Sequence, residues 1–91
     1  MGVRVAIPGP LRKYTGGAGE VDAQGNSVRE VLENLAGEHD GLREKLFDEQ
    51  AQIRRFMNVF VNQQNIRHLD GLDTPLAKGD RVSIVSAIAG G

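Results

Sequence analysis

The residues with the clearest chemical use close the chain: Ile88-Ala89-Gly90-Gly91, soon after the apolar run Val82-Ser83-Ile84-Val85. Glycine has no Cβ, so a Gly-Gly end enters a channel too narrow for other side chains, and its backbone takes any φ. The one reactive group such an end presents is the carboxylate of Gly91. The dipeptide alone leaves two readings open: a thin arm that delivers Gly91 into a buried site, or a frayed end built of small residues. From Val85 to Gly91 an extended chain reaches about 20–25 Å, at ~3.3–3.6 Å per residue. That is long enough to enter a buried site while a globular body stays outside.

The other residue types that do chemistry are poorly placed for it. There is no cysteine, which excludes disulfides, thiol nucleophiles and cysteine–zinc sites. His39 and His68 stand alone, with no H-x-x-x-H spacing, and a lone histidine is a poor metal site. Asp70 and Asp73 lack the glycine and glutamate of a calcium loop and read as turn residues. Glu44, Asp48 and Glu49 read as a solvated face. Ser27, Ser83 and Ser86 have no G-x-S-x-G frame. Gly16, Gly17 and Gly19 make a turn rather than a phosphate loop, because no G-K-[S/T] follows. No nucleophile has a base beside it and no metal ligand set is visible. A carboxylate is a poor electrophile until activated, so the expectation is a chain that is acted upon or binds, not an enzyme.

Composition narrows the partners. The net charge is −1, leaving no basic excess to neutralise phosphates or anionic lipid. No apolar run approaches the ~20 residues of a membrane span. The opening run Val3-Arg4-Val5-Ala6-Ile7 is interrupted by charge and stopped by Pro8, unlike a signal peptide. These features imply no nucleic acid, no membrane and a cytoplasmic location. With 40% apolar and 25% charged residues over 91 positions, the chain reads as one globular domain. A domain of this size buries roughly 60–68% of its unfolded surface. We take 1–86 as the body and 87–91 as an exposed arm.

The elements that must position the arm follow from periodicity. Val3, Val5 and Ile7 alternate with Arg4 and Ala6, giving a strand with one buried face. Leu11 and Tyr14 anchor the loop that follows, and Glu20–Ala23 returns as a hairpin. Ser27 and Glu30 form a capping box. Behind it Val28, Val31, Leu32 and Leu35 fall on one helical stripe that should end between Gly37 and Gly41. Leu42, Leu46 and Phe47 suggest a second short helix capped by Asp40. Asp48–Arg55 reads as an irregular excursion. Phe56–Asn62 is the strongest strand, and a turn at Gln63-Gln64-Asn65 leads to a short extended piece, Ile66–Leu69. After the tight turn Lys78-Gly79-Asp80, a last strand runs from Arg81 to Val85 or Ser86. Val82 and Ile84 face one way; Arg81, Ser83 and Val85 face the other. One mixed sheet crossed by one main helix is an α+β layer, and the long crossover lets the first and last strands pair in parallel at its centre.

Three stretches then carry a resemblance. Leu76-Ala77-Lys78-Gly79-Asp80-Arg81-Val82 followed by Ala89-Gly90-Gly91 resembles the L-x-x-G-D-x-V and terminal A-G-G of the ubiquitin-like sulfur carriers of molybdopterin, thiamin and cysteine biosynthesis. Arg55-Phe56-Met57-Asn58-Val59-Phe60-Val61-Asn62 resembles their R-F-x-N-x-x-V-N. The opening Val3-x-Val5-x-Ile7-Pro8, with Leu11-Arg12 and Thr15-Gly16-Gly17, is most similar to the cysteine-biosynthesis branch. Ser86 stands where many members have proline. The resemblance implies a β-grasp (ubiquitin-like) fold with a flexible Gly-Gly tail. It also implies that an E1-like adenylyltransferase activates the Gly91 carboxylate with ATP, and that sulfur then replaces AMP to leave a thiocarboxylate. ATP would belong to that partner, and no cofactor would stay bound to the carrier. The sulfur would pass to a downstream enzyme, cysteine-synthase-like in the cysteine branch, or the large subunit of molybdopterin synthase if the chain is that enzyme's small subunit. Gly90, Ala89 and Ile88 would enter the partner's site, and Val85 with Ile88 would contact the activating enzyme. A thiamin-pathway carrier, a modifier conjugated to lysines through Gly91, and a plain binding module are the alternative readings.

Overall fold

The computed structural model describes residues 2–86. In chain order the strands are β1 (Gly2–Ala6), β2 (Glu20–Gln24), β3 (Met57–Val61), β4 (Gln64–Asn65) and β5 (Arg81–Ser86). The helices α1 (Val28–Glu38) and α2 (Leu42–Leu46) lie between β2 and β3, and 3-10 turns span Gly9–Thr15, Ile66–His68 and Gly71–Asp73. The sheet order is β2-β1-β5-β3-β4. β1 and β5 pair in parallel at the centre, Val5 opposite Val82, as the crossover argument expects; β2 and β3 flank them antiparallel.

Alternation decides which side of the sheet is buried. Val3 and Val5, Met57, Val59 and Val61, and Val82 and Ile84 all turn to one side and are buried with Val28, Val31, Leu32 and Leu35 of α1. Burying a side chain of this size contributes roughly 1.5–3 kcal/mol, so the contact between α1 and the sheet dominates the stability of the domain. Leu42, Leu46 and Phe47 extend the same core beneath α1.

The start of α1 is fixed on two sides. Ser27 is the N-cap, its Oγ accepting the Glu30 N–H at 3.2 Å. The Glu30 carboxylate accepts the N–H of Asn26, at 2.9 Å, one residue earlier than a standard capping box would have it. The segment after it is engaged elsewhere: Val28 N–H donates to the Thr74 carbonyl at 3.0 Å, and Leu76 N–H donates to the Asn26 carbonyl at 2.9 Å. Gly25 turns so closely beneath the helix that a Cβ there would lie 2.7 Å from the Val31 nitrogen.

Five sequence expectations need correction. Asp40 does not cap α2; Gly41 occupies that position, at φ +86° and without a side-chain cap bond. The turn needs a left-handed residue pressed against Tyr14, where a Cβ would stand 2.9 Å from the ring, so only glycine fits. Ile66–Leu69 is not extended, because Asn65 Oδ1 accepts the Arg67 N–H at 2.9 Å and winds Ile66–His68 into a 3-10 turn. The turn before it is correspondingly narrower, and Gln64–Asn65 pairs with β3 as β4. Finally, β3 begins at Met57, not Phe56: the Met57 N–H bonds back to the Arg54 carbonyl at 2.9 Å and holds Phe56 in a turn. The stretch before it is more ordered than an excursion. Asp48 Oδ1 accepts the N–H groups of Gln50 and Gln52 at 2.9 and 3.0 Å, and Arg54 N–H returns to the Leu46 carbonyl at 3.0 Å.

Candidate functional site

The residues the sequence singles out fall at the end of β5 and beyond it. Ile88, Ala89, Gly90 and Gly91 lie outside the described residues, so the site is built from the strand that leads to them. β5 is the central strand of the sheet, hydrogen-bonded to β1 on one side and β3 on the other. Its antiparallel ladder with β3 runs from Val61 opposite Val82 to Met57 opposite Ser86, so pairing persists to the last described residue. Ser86 retains the backbone N–H that a proline at this place would lack.

Where β5 begins is set by a clasp between two of the recognised motifs. Gly79 takes φ +90°, and the Asp80 carboxylate accepts the Ala77 N–H at 2.8 Å. Asn62, itself left-handed at φ +58°, donates through its side-chain amide to Asp80 Oδ1 at 3.3 Å and accepts the Arg81 N–H at 3.2 Å. Its backbone N–H completes the clasp on the Arg81 carbonyl at 2.7 Å. Gly79, Asp80 and Asn62 therefore fix where β5 begins. Their role is positional rather than chemical.

The open face of the sheet is graded along β5. At its start Arg4 pairs with Asp22 (2.8 Å) and Glu20 (3.2 Å), and Glu20 also pairs with Arg81, so one carboxylate separates two arginines placed opposite each other. At its end Val85 stands opposite Asn58 and is 43% exposed, as expected for a residue sharing the outer face with Arg81 and Ser83. Ala6, Ser83 and Phe60, aligned across three strands, lie half-buried between the two ends.

The remaining candidates are dispersed. His39 ends α1, while His68 closes a separate 3-10 turn. Asp73 pairs with Arg29 at 3.6 Å, and Asp70 stands at the start of the 3-10 turn that Asp73 ends. Ser27 is a helix cap. Among the described residues no group of three or more His, Cys, Asp or Glu side chains is arranged to hold a metal, and no helix is long and apolar enough to cross a membrane. The shifted titrations belong to a pair away from β5: bidentate hydrogen bonding to Arg43 of α2 lowers the pKa of Glu33 on α1 and raises that of Arg43.

One surface residue escapes the sequence reading. Phe56 is 52% exposed beside the end of β5. A signal was present: Asn58 and Asn62 share its parity along the strand, and polar residues at alternate positions mark the outward side.

Sheet order and crossing helix define a β-grasp protein of the ubiquitin-like kind. The chain belongs to the ThiS family, whose model matches residues 5–91. Over its whole length, and the whole length of that protein, it is 40% identical to the sulfur carrier protein CysO of Mycobacterium tuberculosis. Among solved structures it is similar to that of the Amycolatopsis orientalis BexX/CysO complex, with a TM-score of 0.90 and 38% identity covering 98% of this chain and 99% of that one. It is also similar to small archaeal modifier protein 1 of Methanosarcina acetivorans, with a TM-score of 0.85 and 31% identity covering 99% and 96%.

Proposed function

We propose that this chain is a sulfur carrier protein of cysteine biosynthesis, charged and discharged at the carboxylate of Gly91. The observation that carries the reading is the delivery geometry. A central strand, paired with β1 as far as Ser83 and with β3 as far as Ser86 and registered by the Asn62–Asp80 clasp, precedes five residues that close on Gly90-Gly91. Full-length identity to a sulfur carrier supports the cargo.

The chemistry is divided between the carrier and its partners. The carboxylate oxygen of Gly91 attacks the α-phosphorus of ATP in an E1-like adenylyltransferase, releasing pyrophosphate and forming an acyl-adenylate. A sulfur nucleophile then adds to the carbonyl carbon and AMP leaves, so a C–S bond replaces the C–O bond and Gly91 carries a thiocarboxylate. A cysteine-synthase-like enzyme takes that sulfur. ATP stays with the activating partner. The carrier supplies no catalytic group; Ile88, Ala89 and Gly90 thread the partner's channel while Val85 touches its surface. A cytoplasmic location follows from the need for ATP.

Intact mass spectrometry tests this directly. Incubated with the adenylyltransferase, ATP and a sulfide source, the wild-type chain gains the mass of one oxygen-to-sulfur exchange, localised to Gly91. Deleting Gly91, or adding one residue after it, moves the reactive carbon off target and abolishes the gain; charging that survives either change rules the mechanism out.

Similarity to a small archaeal modifier protein favours a second reading, conjugation of Gly91 to lysines of other proteins. The two readings share the adenylate. Gly-Gly remnants on cellular lysines, dependent on this chain, mark the modifier; a thiocarboxylate without such remnants marks the carrier.

A further inference from the structure

Phe56 is the most exposed large apolar side chain among the described residues, at 52%. It precedes β3 directly, and because Met57 lies opposite Ser86, it flanks the last described residue of β5. The Arg55 guanidinium lies over its ring, 5.6 Å from the centroid. Shallow depressions open on either side, one lined by Glu44, Lys45 and Arg54, the other by Asp48, Ile53 and Arg54.

Seven of the eleven basic side chains have no carboxylate partner among the described residues, and three of them gather around Phe56. Arg4, Arg29, Arg43 and Arg81 each have a carboxylate partner. Lys45, Arg54 and Arg55 have none among the described residues; the Arg54 Nε donates to the Glu44 carbonyl instead, at 2.6 Å. Of the acids on the rim, Asp48 has one carboxylate oxygen engaged by two backbone N–H groups, while Glu44 remains at the edge.

We propose that Phe56, with Arg54 and Arg55, is a docking knuckle for the enzyme that charges the arm, received by an apolar socket of that enzyme rimmed with carboxylates. The proposal rests on the reading above that Gly91 is adenylated. Continuity selects the occupant: an enzyme that encloses the residues after Ser86 must come up against Phe56. Charge selects the socket, since three unpaired cations around one aromatic ring complement an acidic rim. The residue types fit, because aromatic and arginine side chains are enriched in interface cores and among the few residues that carry most binding energy. Stacking of Arg55 on the ring holds the anchor ready, so little side-chain freedom is lost on binding. Three cations are too few to hold nucleic acid on a chain of net charge −1.

The test uses the full chain and the purified adenylyltransferase, with calorimetric binding measured without ATP and ATP–pyrophosphate exchange measured with it. Phe56→Ala should raise Kd and the KM for carrier about 10–30-fold, as loss of an interface anchor does, with a much smaller change in kcat. Arg55→Glu should weaken binding at least tenfold. Arg55→Gln should flatten its salt dependence. Each variant's unfolding midpoint is checked, and the exposed Arg55 variants keep the test open if Phe56→Ala unfolds. Kd and KM within twofold of wild type for folded variants overturn the proposal. So does a Phe56-dependent dimer that excludes the enzyme, or equally tight binding of a single-stranded RNA oligonucleotide. Deleting Gly91 separates the two ideas. Exchange that survives the deletion sinks the charging reading, whereas loss of exchange with Phe56-dependent binding retained supports both.

Discussion

Asn62 shows how a residue with no reactive role can set where a central strand begins. Its backbone is left-handed, a conformation asparagine tolerates better than other residues with a Cβ. Its amide serves two partners at once, Asp80 and the Arg81 N–H. Asn62→Ala loses both hydrogen bonds, each worth ~1 kcal/mol at an exposed turn, and places alanine where the left-handed region costs roughly 1–2 kcal/mol. Urea denaturation should therefore show a loss of about 3–4 kcal/mol. Asn62→Gly keeps the backbone comfortable and loses only the hydrogen bonds, so it should fall between alanine and wild type. Equal losses for the two variants would mean that backbone conformation plays no part at this position.

At the scale of elements, α1 and α2 are joined by their buried leucines and by the Glu33–Arg43 pair. Hydrogen bonding to Arg43 holds the Glu33 pKa below its usual 4.5, against the opposing effect of partial burial. A depressed carboxylate pKa stabilises the fold at pH values above the unfolded value and ceases to do so as pH falls through the folded value. The stability gap between wild type and Glu33→Gln should thus be constant above pH 4.5 and shrink below it, as followed by thermal unfolding across an acid series. A gap that widens on acidification would contradict the depressed pKa. Elements of this kind were legible in the sequence where one period dominates: the α1 stripe, the alternation of β1 and β5, and the outward position of Val85 all follow from spacing. Illegible were the places where a local hydrogen bond or a tertiary contact overrides propensity. Asn65 winds Ile66 into a 3-10 turn although isoleucine favours strands. Tyr14, far away in sequence, forces glycine into the cap position that Asp40 seemed to claim. The Gly90-Gly91 end that the sequence singles out lies outside the described residues, and the turn that holds Phe56 was not read from the sequence, since a strand's first residue and a turn's last look alike until the Met57–Arg54 hydrogen bond is known.

For the molecule as a whole, stability and chemistry occupy different parts of the chain. Among the described residues the buried apolar core runs from Val3 to Ile84, and the pairing of β5 with β3 runs through Ser86. A chain ending at Ser86 keeps every one of these contacts and loses the only group that Gly91 offers for activation. Its unfolding free energy should lie within ~0.5 kcal/mol of the full chain, the usual range for changes away from the core. Its capacity to accept sulfur should be zero. Paired urea denaturation and intact-mass charging assays measure the two properties on one preparation. A truncated chain that unfolds much more readily would make the arm part of the fold, and β5 would then have to be read as completed by the residues that follow it rather than as a finished strand from which they extend.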